Sequence, residues 1–274
     1  MIWLILAMLS SALVSVSMRW SGRHVRNNIS MLAVNYVMCT LLSWGFSGFA
    51  PPLPAGKAAV GIGLVSGVFY LVSFVLLQWN IGKNGVVLPA LFMKLGVLVP
   101  VVLSMVLFRE MPAALQACGI LLALCGIVLL NSGKGQKAGS GLGLIALLLC
   151  GGLCDATAKV FEELGSPQEN GLYLLWTFAA ALALCAALAL LRHQRLSPPD
   201  LFFGALIGIP NYLSSWFLLR ALGSIPAVIV YPSYCIGAML LITAAGCFLF
   251  REKLTRRQLT AGGVILLALL LLNL

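Results

Sequence analysis

A single lysine, Lys94, stands inside an apolar run that extends from Val86 to Phe108. An amine so placed can hold an anionic group or carry a proton. Pro89 and Pro100 bracket it, and prolines there free backbone carbonyls and permit kinks. The plainer alternative is an amine that snorkels along its own stem or pairs with a neighbouring helix. Asp155 and Lys159 are spaced i, i+4, which puts them on one helical face. They read first as a structural ion pair, and otherwise as a gate or a substrate contact. Uncharged hydrogen-bonding groups recur in other apolar runs: Asn35 and Tyr36; Tyr70 and Ser73; Asn211, Tyr212, Ser214 and Ser215; Tyr231, Ser233 and Tyr234. Taken singly, each is better read as glue between helices, at about 1 kcal/mol or less per bond. Tyr70, Tyr212, Asn211, Asn35 and Tyr231 are also the side chains best suited to hydrogen-bond a ligand. No nucleophile–base constellation is legible, since His24 and His193 both lie in basic loops. The eight cysteines sit in apolar segments without a C-x-x-C pair, so no metal site, disulfide framework or cofactor is expected.

These groups need a scaffold, and composition says which kind. The chain is 61% hydrophobic and 9% charged, with a mean hydropathy of +1.06. A water-facing surface calls for about 25% charged residues, so most of this surface must meet lipid. Apolar segments of about 17–25 residues, the length that crosses a bilayer, recur along the whole chain. The predicted spans cover residues 1–18, 31–49, 58–79, 86–108, 113–130, 142–160, 171–191, 201–221, 227–249 and 257–273. The first lacks a basic leader and a cleavage motif, and reads as a retained span rather than a signal peptide. In such a chain an ionisable group at mid-bilayer costs roughly 2.5–3.5 kcal/mol on insertion scales, which makes function the default reading of Lys94. The net charge of +10 fits basic cytoplasmic loops better than nucleic-acid binding.

The spans fall into two copies. Leu107-Phe108-Arg109-Glu110 returns as Leu249-Phe250-Arg251-Glu252, and Leu129-Leu130-Asn131 returns as Leu271-Leu272-Asn273, at an unbroken offset of 142 residues. The same offset lays Tyr70-Leu71-x-Ser73-Phe74 on Tyr212-Leu213-x-Ser215-Trp216. It lays Lys94 on Ile236, so that lysine has no counterpart. Residues 1–131 and 142–274 are thus two five-helix halves, joined by a Gly/Ser/Lys linker at 132–141. Five is odd, so the second half must enter the membrane upside down. Loop charge agrees: Lys253, Arg256 and Arg257 stand where the first copy has Met111, Ala114 and Leu115. Connections after odd-numbered spans hold Arg19, Arg23, Arg26, Lys83, Lys134, Lys137, Arg192, Arg195, Arg251, Lys253, Arg256 and Arg257. Those after even-numbered spans hold only Lys57, Arg109, Lys159 and Arg220, along with Glu162, Glu163 and Glu169. The positive-inside rule then makes the odd connections cytoplasmic and puts both termini outside the cytoplasm. Glu110 and Glu252 each precede a helix, where an acidic group suits the helix dipole. The expected fold is an all-α polytopic membrane protein of ten transmembrane helices in two inverted five-helix repeats.

Leu249-Phe250-Arg251-Glu252-Lys253-Leu254-Thr255-x-x-Gln258 before an apolar helix resembles the EamA-type domain of the drug/metabolite transporter superfamily, as does Leu219-Arg220-Ala221-Leu222 before Ile225-Pro226-Ala227. The resemblance covers essentially the whole chain. It implies a cell-membrane secondary transporter that moves a small metabolite or drug-like solute by alternating access, driven by a gradient. Two features depart from the family: its members often have cytoplasmic termini, and an arginine common in the second helix is replaced by Asn35-Tyr36. Lys94 tilts the expected substrate toward one with an anionic group, with a proton as coupling ion and a monomer or homodimer in the bilayer. The rival classes are an intramembrane enzyme and a non-transporting assembly protein.

Overall fold

The computed structural model describes residues 1–21, 24, 25, 27–48, 56–84, 89, 92, 93, 95–131, 141–194, 196–250, 260, 263, 264, 267, 268, 270 and 271. Lys94, the linker at 132–140 and the second-copy motif at 251–258 lie outside these residues. Among the described residues the secondary structure is helical, with no strand. The α-helices are α1 (Ile2–Ser21), α2 (Asn28–Phe46), α3 (Lys57–Asn84), α4 (Leu98–Leu107), α5 (Ala114–Asn131), α6 (Gly141–Leu164), α7 (Asn170–Leu191), α8 (Pro198–Leu222) and α9 (Ala227–Phe250). One 3-10 turn, Pro167–Glu169, precedes α7. Lipid offers no hydrogen bonds, so an apolar run must satisfy its own backbone, and a helix does this within the segment. Among the described residues six stretches are long and apolar enough to cross a membrane: 28–46, 57–77, 141–164, 167–191, 198–222 and 227–246. Ile2–Met18, Leu98–Leu107 and Ala114–Gly126 are shorter apolar helices. Each of the nine helices coincides with one predicted span, while the tenth span falls mostly outside the described residues.

Local chemistry sets several boundaries. Ser197-Pro198-Pro199-Asp200 opens α8: proline needs no donor partner in the first turn, and the Ser197 N–H donates to Asp200 Oδ2 at 3.0 Å. At the other end of α4, Arg109 adopts a left-handed conformation (φ 56°), and the Glu110 N–H folds back to Ser104 O at 3.2 Å. The Leu-Phe-Arg-Glu motif is therefore a helix stop followed by a sharp turn.

The chain forms two compact units. The first comprises Met1–Leu71 and Val160–Gly223, and the second comprises Val72–Lys159 and Ser224–Leu274. Each unit draws on both halves of the sequence. In the first unit, α2 packs against α7 and α8, and α1 packs against α8. Glycine pairs four residues apart set the closest approaches. A Cβ on Gly67 would lie 2.5 Å from Thr177 O, and one on Gly63 would lie 2.9 Å from Tyr173 O, so α3 meets α7 almost backbone to backbone. A Cβ on Gly204 would lie 2.6 Å from Met31 O, and one on Gly208 2.8 Å from Asn35 O, which notches α8 into α2 in the same way. Small residues at this spacing drive helix association in lipid, where the hydrophobic effect does not. The 142-residue offset lays α7 on α2 and α8 on α3, so the two glycine-notched pairs correspond. In the second unit, α9 packs on α4 and α5, and Asn80 Nδ2 on α3 donates to Gly143 O on α6 at 2.9 Å.

Candidate functional site

The first unit gathers four of the predicted binding residues. Pro210 interrupts the hydrogen bonding of α8, removing the donor that would have met the Leu206 carbonyl. Just beyond it, Asn211 Nδ2 donates to Asn35 Oδ1 on α2 at 3.2 Å and approaches Cys39 Sγ at 3.7 Å. The Cys39 thiol in turn donates to Gly208 O at 3.3 Å, which the missing side chain of Gly208 makes accessible. One turn further along α8, Ser215 Oγ and Tyr70 Oη on α3 are 3.2 Å apart, and Ser215 also donates to Asn211 O at 3.3 Å. Positions 211 and 215 share a helical face, so α8 carries a polar stripe that α2 and α3 meet from two sides.

Aromatic rings enclose this stripe. Phe178 on α7 is fully buried and lies between Tyr36, Tyr70 and Tyr212, at centroid distances of 6.5, 5.8 and 6.3 Å. These distances fall in the range where offset and edge-to-face aromatic pairs are favourable. Tyr212 also meets Phe46 at 5.4 Å, and Phe46 meets Trp216 at 5.6 Å. The chain of rings ends at the exposed Arg220, whose Cζ lies 4.5 Å from the Trp216 ring and 5.6 Å from Trp3. Asn35 and Tyr212 are buried, whereas Tyr70, Asn211 and Ser215 are partly open. The Tyr212 hydroxyl is buried and has no hydrogen-bond partner among the described residues. Such an unmet group costs about 1–3 kcal/mol. The cluster thus offers amides and hydroxyls, a thiol and π-faces, with the Arg220 guanidinium at its aromatic end.

Tyr231, Asp155 and Lys159 belong to the second unit. Tyr231 is almost fully buried in α9, and its hydroxyl donates to the backbone carbonyl of Asp155 at 2.6 Å. Lys159, also buried, places Nζ 2.7 Å from Glu110 Oε1 and 5.5 Å from the Phe108 ring centroid. The other oxygen of Glu110 accepts the N–H of Ala227 at 2.8 Å, the first residue of α9. The dipole argument therefore applies to Glu110 at α9 and not at the helix that follows it in sequence. Glu169 does the same in the first unit, where Oε1 accepts the Gly56 N–H at 2.7 Å immediately before α3. The i, i+4 spacing of Asp155 and Lys159 gave no hint of Glu110, because that partner comes from a distant loop. Phe178 gave no signal either, being one apolar residue in an apolar span.

Residues 1–132 match the EamA-like transporter family. An uncharacterized protein of Haemophilus influenzae is 22% identical over 268 residues, covering 92% of this chain and 91% of its own length. A protein of known crystal structure superposes with a TM-score of 0.80 at 14% identity, covering 100% of this chain and 97% of its own, a likeness of fold alone. With its apolar helices the chain is a multi-pass membrane protein, and its first 132 residues are similar to the EamA-like transporter family.

Proposed function

We infer that this protein is a secondary transporter that moves a small solute through the cell membrane by alternating access, driven by a gradient and without a bound cofactor. The observation that carries this reading is the polar stripe of the first unit. Asn211 and Ser215 on α8 engage Asn35 and Tyr70 within apolar helices, ringed by aromatic side chains and partly open. Buried polar networks in a bilayer are costly unless satisfied, and function is the usual reason to keep one open. A solute that exchanges hydrogen bonds with these amides and hydroxyls could enter without facing an unpaired charge. Lys94, which lies outside the described residues, is proposed to supply the positive charge for an anionic group on the solute or to carry the coupling proton. Asp155 and Lys159, with Glu110 as partner, are proposed to form a gate. The inverted arrangement of the halves and the non-cytoplasmic termini are part of the same reading, supported by the repeat and the loop charges.

The test is a stabilisation screen of purified protein against amino acids, small organic acids and amphipathic amines, followed by uptake of each hit into proteoliposomes. A true substrate is taken up by wild type, and both its stabilisation and its uptake fall at least tenfold in Asn211→Ala. Solutes that protect wild type and Asn211→Ala alike would remove the stripe from the site.

A further inference from the structure

Arg220 lies in the last turn of α8, where a cation suits the helix dipole. The dipole accounts for the charge but not for its surroundings. The guanidinium lies over two indole rings, with Cζ 4.5 Å from Trp216 and 5.6 Å from Trp3 at the start of α1. Trp3 and Trp216 meet edge to face at 5.8 Å, and Phe217 stacks on Trp3 at 5.9 Å, so the platform is held by its own contacts. Among the described residues no carboxylate pairs with Arg220 and no acceptor takes its N–H groups. The side chain is exposed, and a guanidinium whose face rests on rings keeps its edge of donors free. The surface beside it is apolar: Ile2 and Ile5 on α1 and Phe46 at the end of α2 are all exposed. Every one of these residues belongs to the first unit.

We propose that Arg220, Trp3 and Trp216 form a headgroup site for an anionic phospholipid, with the phosphate on the guanidinium edge and an acyl chain along the exposed face of α1. Three features choose this ligand. The planar fork of an arginine matches a phosphate through two parallel N–H···O bonds. Tryptophans gather at the membrane–water interface, the depth at which lipid headgroups lie. Ile2, Ile5, Leu9 and Leu13 form one exposed row on α1 that starts beside Trp3 and gives the chain a track. A small soluble anion would use the first feature and leave the row idle. A zwitterionic lipid would bring an ammonium, and no acidic group among the described residues contacts Arg220 to receive it. Bound here, the lipid ties the first turn of α1 to the last turn of α8, and it does so whatever solute the protein moves.

The probe is phosphatidylglycerol, titrated into the full-length protein in a neutral detergent, with phosphatidylcholine of the same chains for comparison. Native mass spectrometry counts the retained lipid, and thermal melting reads its effect. Wild type should retain one phosphatidylglycerol in preference to phosphatidylcholine, with a melting midpoint that rises and then saturates. Arg220→Gln should weaken this binding about tenfold, the scale of a hydrogen bond to a charged group. Trp216→Leu, which keeps apolar bulk but removes the platform, should weaken it as well. Arg220→Lys keeps the charge without the fork and should fall between wild type and Arg220→Gln. Arg192→Gln removes an exposed cation just past α7 and should leave lipid retention unchanged. If Arg220→Gln fails to fold, Arg220→Lys and Trp216→Leu decide, and full retention of phosphatidylglycerol by both would overturn the site. So would an equal loss in Arg192→Gln, which would mark a diffuse charge effect. Protection by inorganic phosphate as strong as that by phosphatidylglycerol would assign the platform to free anions and refute the lipid.

Discussion

Glu110 offers one carboxylate to two partners, with Oε1 on the Lys159 ammonium at 2.7 Å and Oε2 on the first N–H of α9 at 2.8 Å. A buried ion pair is weak evidence of net stability, yet removing one member is costly because the other charge stays behind. Glu110→Gln keeps an acceptor for α9 but takes this counter-ion from the buried Lys159. A loss of roughly 3 kcal/mol is expected, read as a lower melting midpoint in nanodiscs. The double variant Glu110→Gln/Lys159→Met should recover most of it, since it removes both charges. A single variant as stable as wild type would mean that the pair contributes nothing. Lys94 calls for a different measurement. Lys94→Met keeps the length and apolar stem while deleting the charge, so uptake per folded molecule should collapse while insertion remains intact. Lys94→Arg should also be impaired, because a guanidinium neither releases a proton nor fits a compact ammonium pocket. Wild-type uptake by Lys94→Met would take that lysine out of the site.

Among the helices, glycine positions give the sharpest forecast. Gly61 and Gly67 lie six residues apart on α3, and of the two only Gly67 faces a described neighbour: its Cβ would lie 2.5 Å from Thr177 O, while nothing described lies within 4 Å of a Cβ on Gly61. Gly67→Ala should therefore cost about 1–3 kcal/mol by pushing α3 off α7. Gly61→Ala should be neutral or gain up to about 1 kcal/mol, since alanine is the better helix former. Equal melting midpoints for the two variants would refute the close packing of α3 on α7. The positions of the helices were legible from sequence, because a bilayer demands long apolar runs and nine such runs became α1 to α9. Their partners were not. The tyrosine pair Tyr70 and Tyr212 could be singled out through the repeat as candidates for a shared cavity, and the structure places both beside Phe178. Nothing in the local pattern said that Phe178 would be the ring between them, or that Glu110 would cap a helix beginning at Ala227. Hydropathy reports what faces lipid, whereas such pairings depend on which apolar face meets which.

Across the whole molecule, loop charge forecasts that both termini lie outside the cytoplasm. A C-terminal alkaline phosphatase fusion should be active and a C-terminal green fluorescent protein fusion dark, and bright fluorescence would reverse the assignment. The make-up of the compact units bears on a different matter, the order in which the chain is made. The first unit needs Met1–Leu71 and also Val160–Gly223, so it cannot close until its last helix has been synthesised. Tyr70 and Ser215 are 145 residues apart in the chain, an interval of roughly 7–30 s at translation rates of about 5–20 residues per second. Throughout that interval Asn35 and Tyr70 sit in nascent helices without Asn211 and Ser215, their later partners. A fragment comprising residues 1–131 should accordingly be degraded when expressed alone and accumulate when residues 142–274 are supplied as a second chain. On this view the insertion machinery has to shelter the early helices until the late ones arrive, and quality control can sense an abandoned chain by the polar groups still waiting in the lipid.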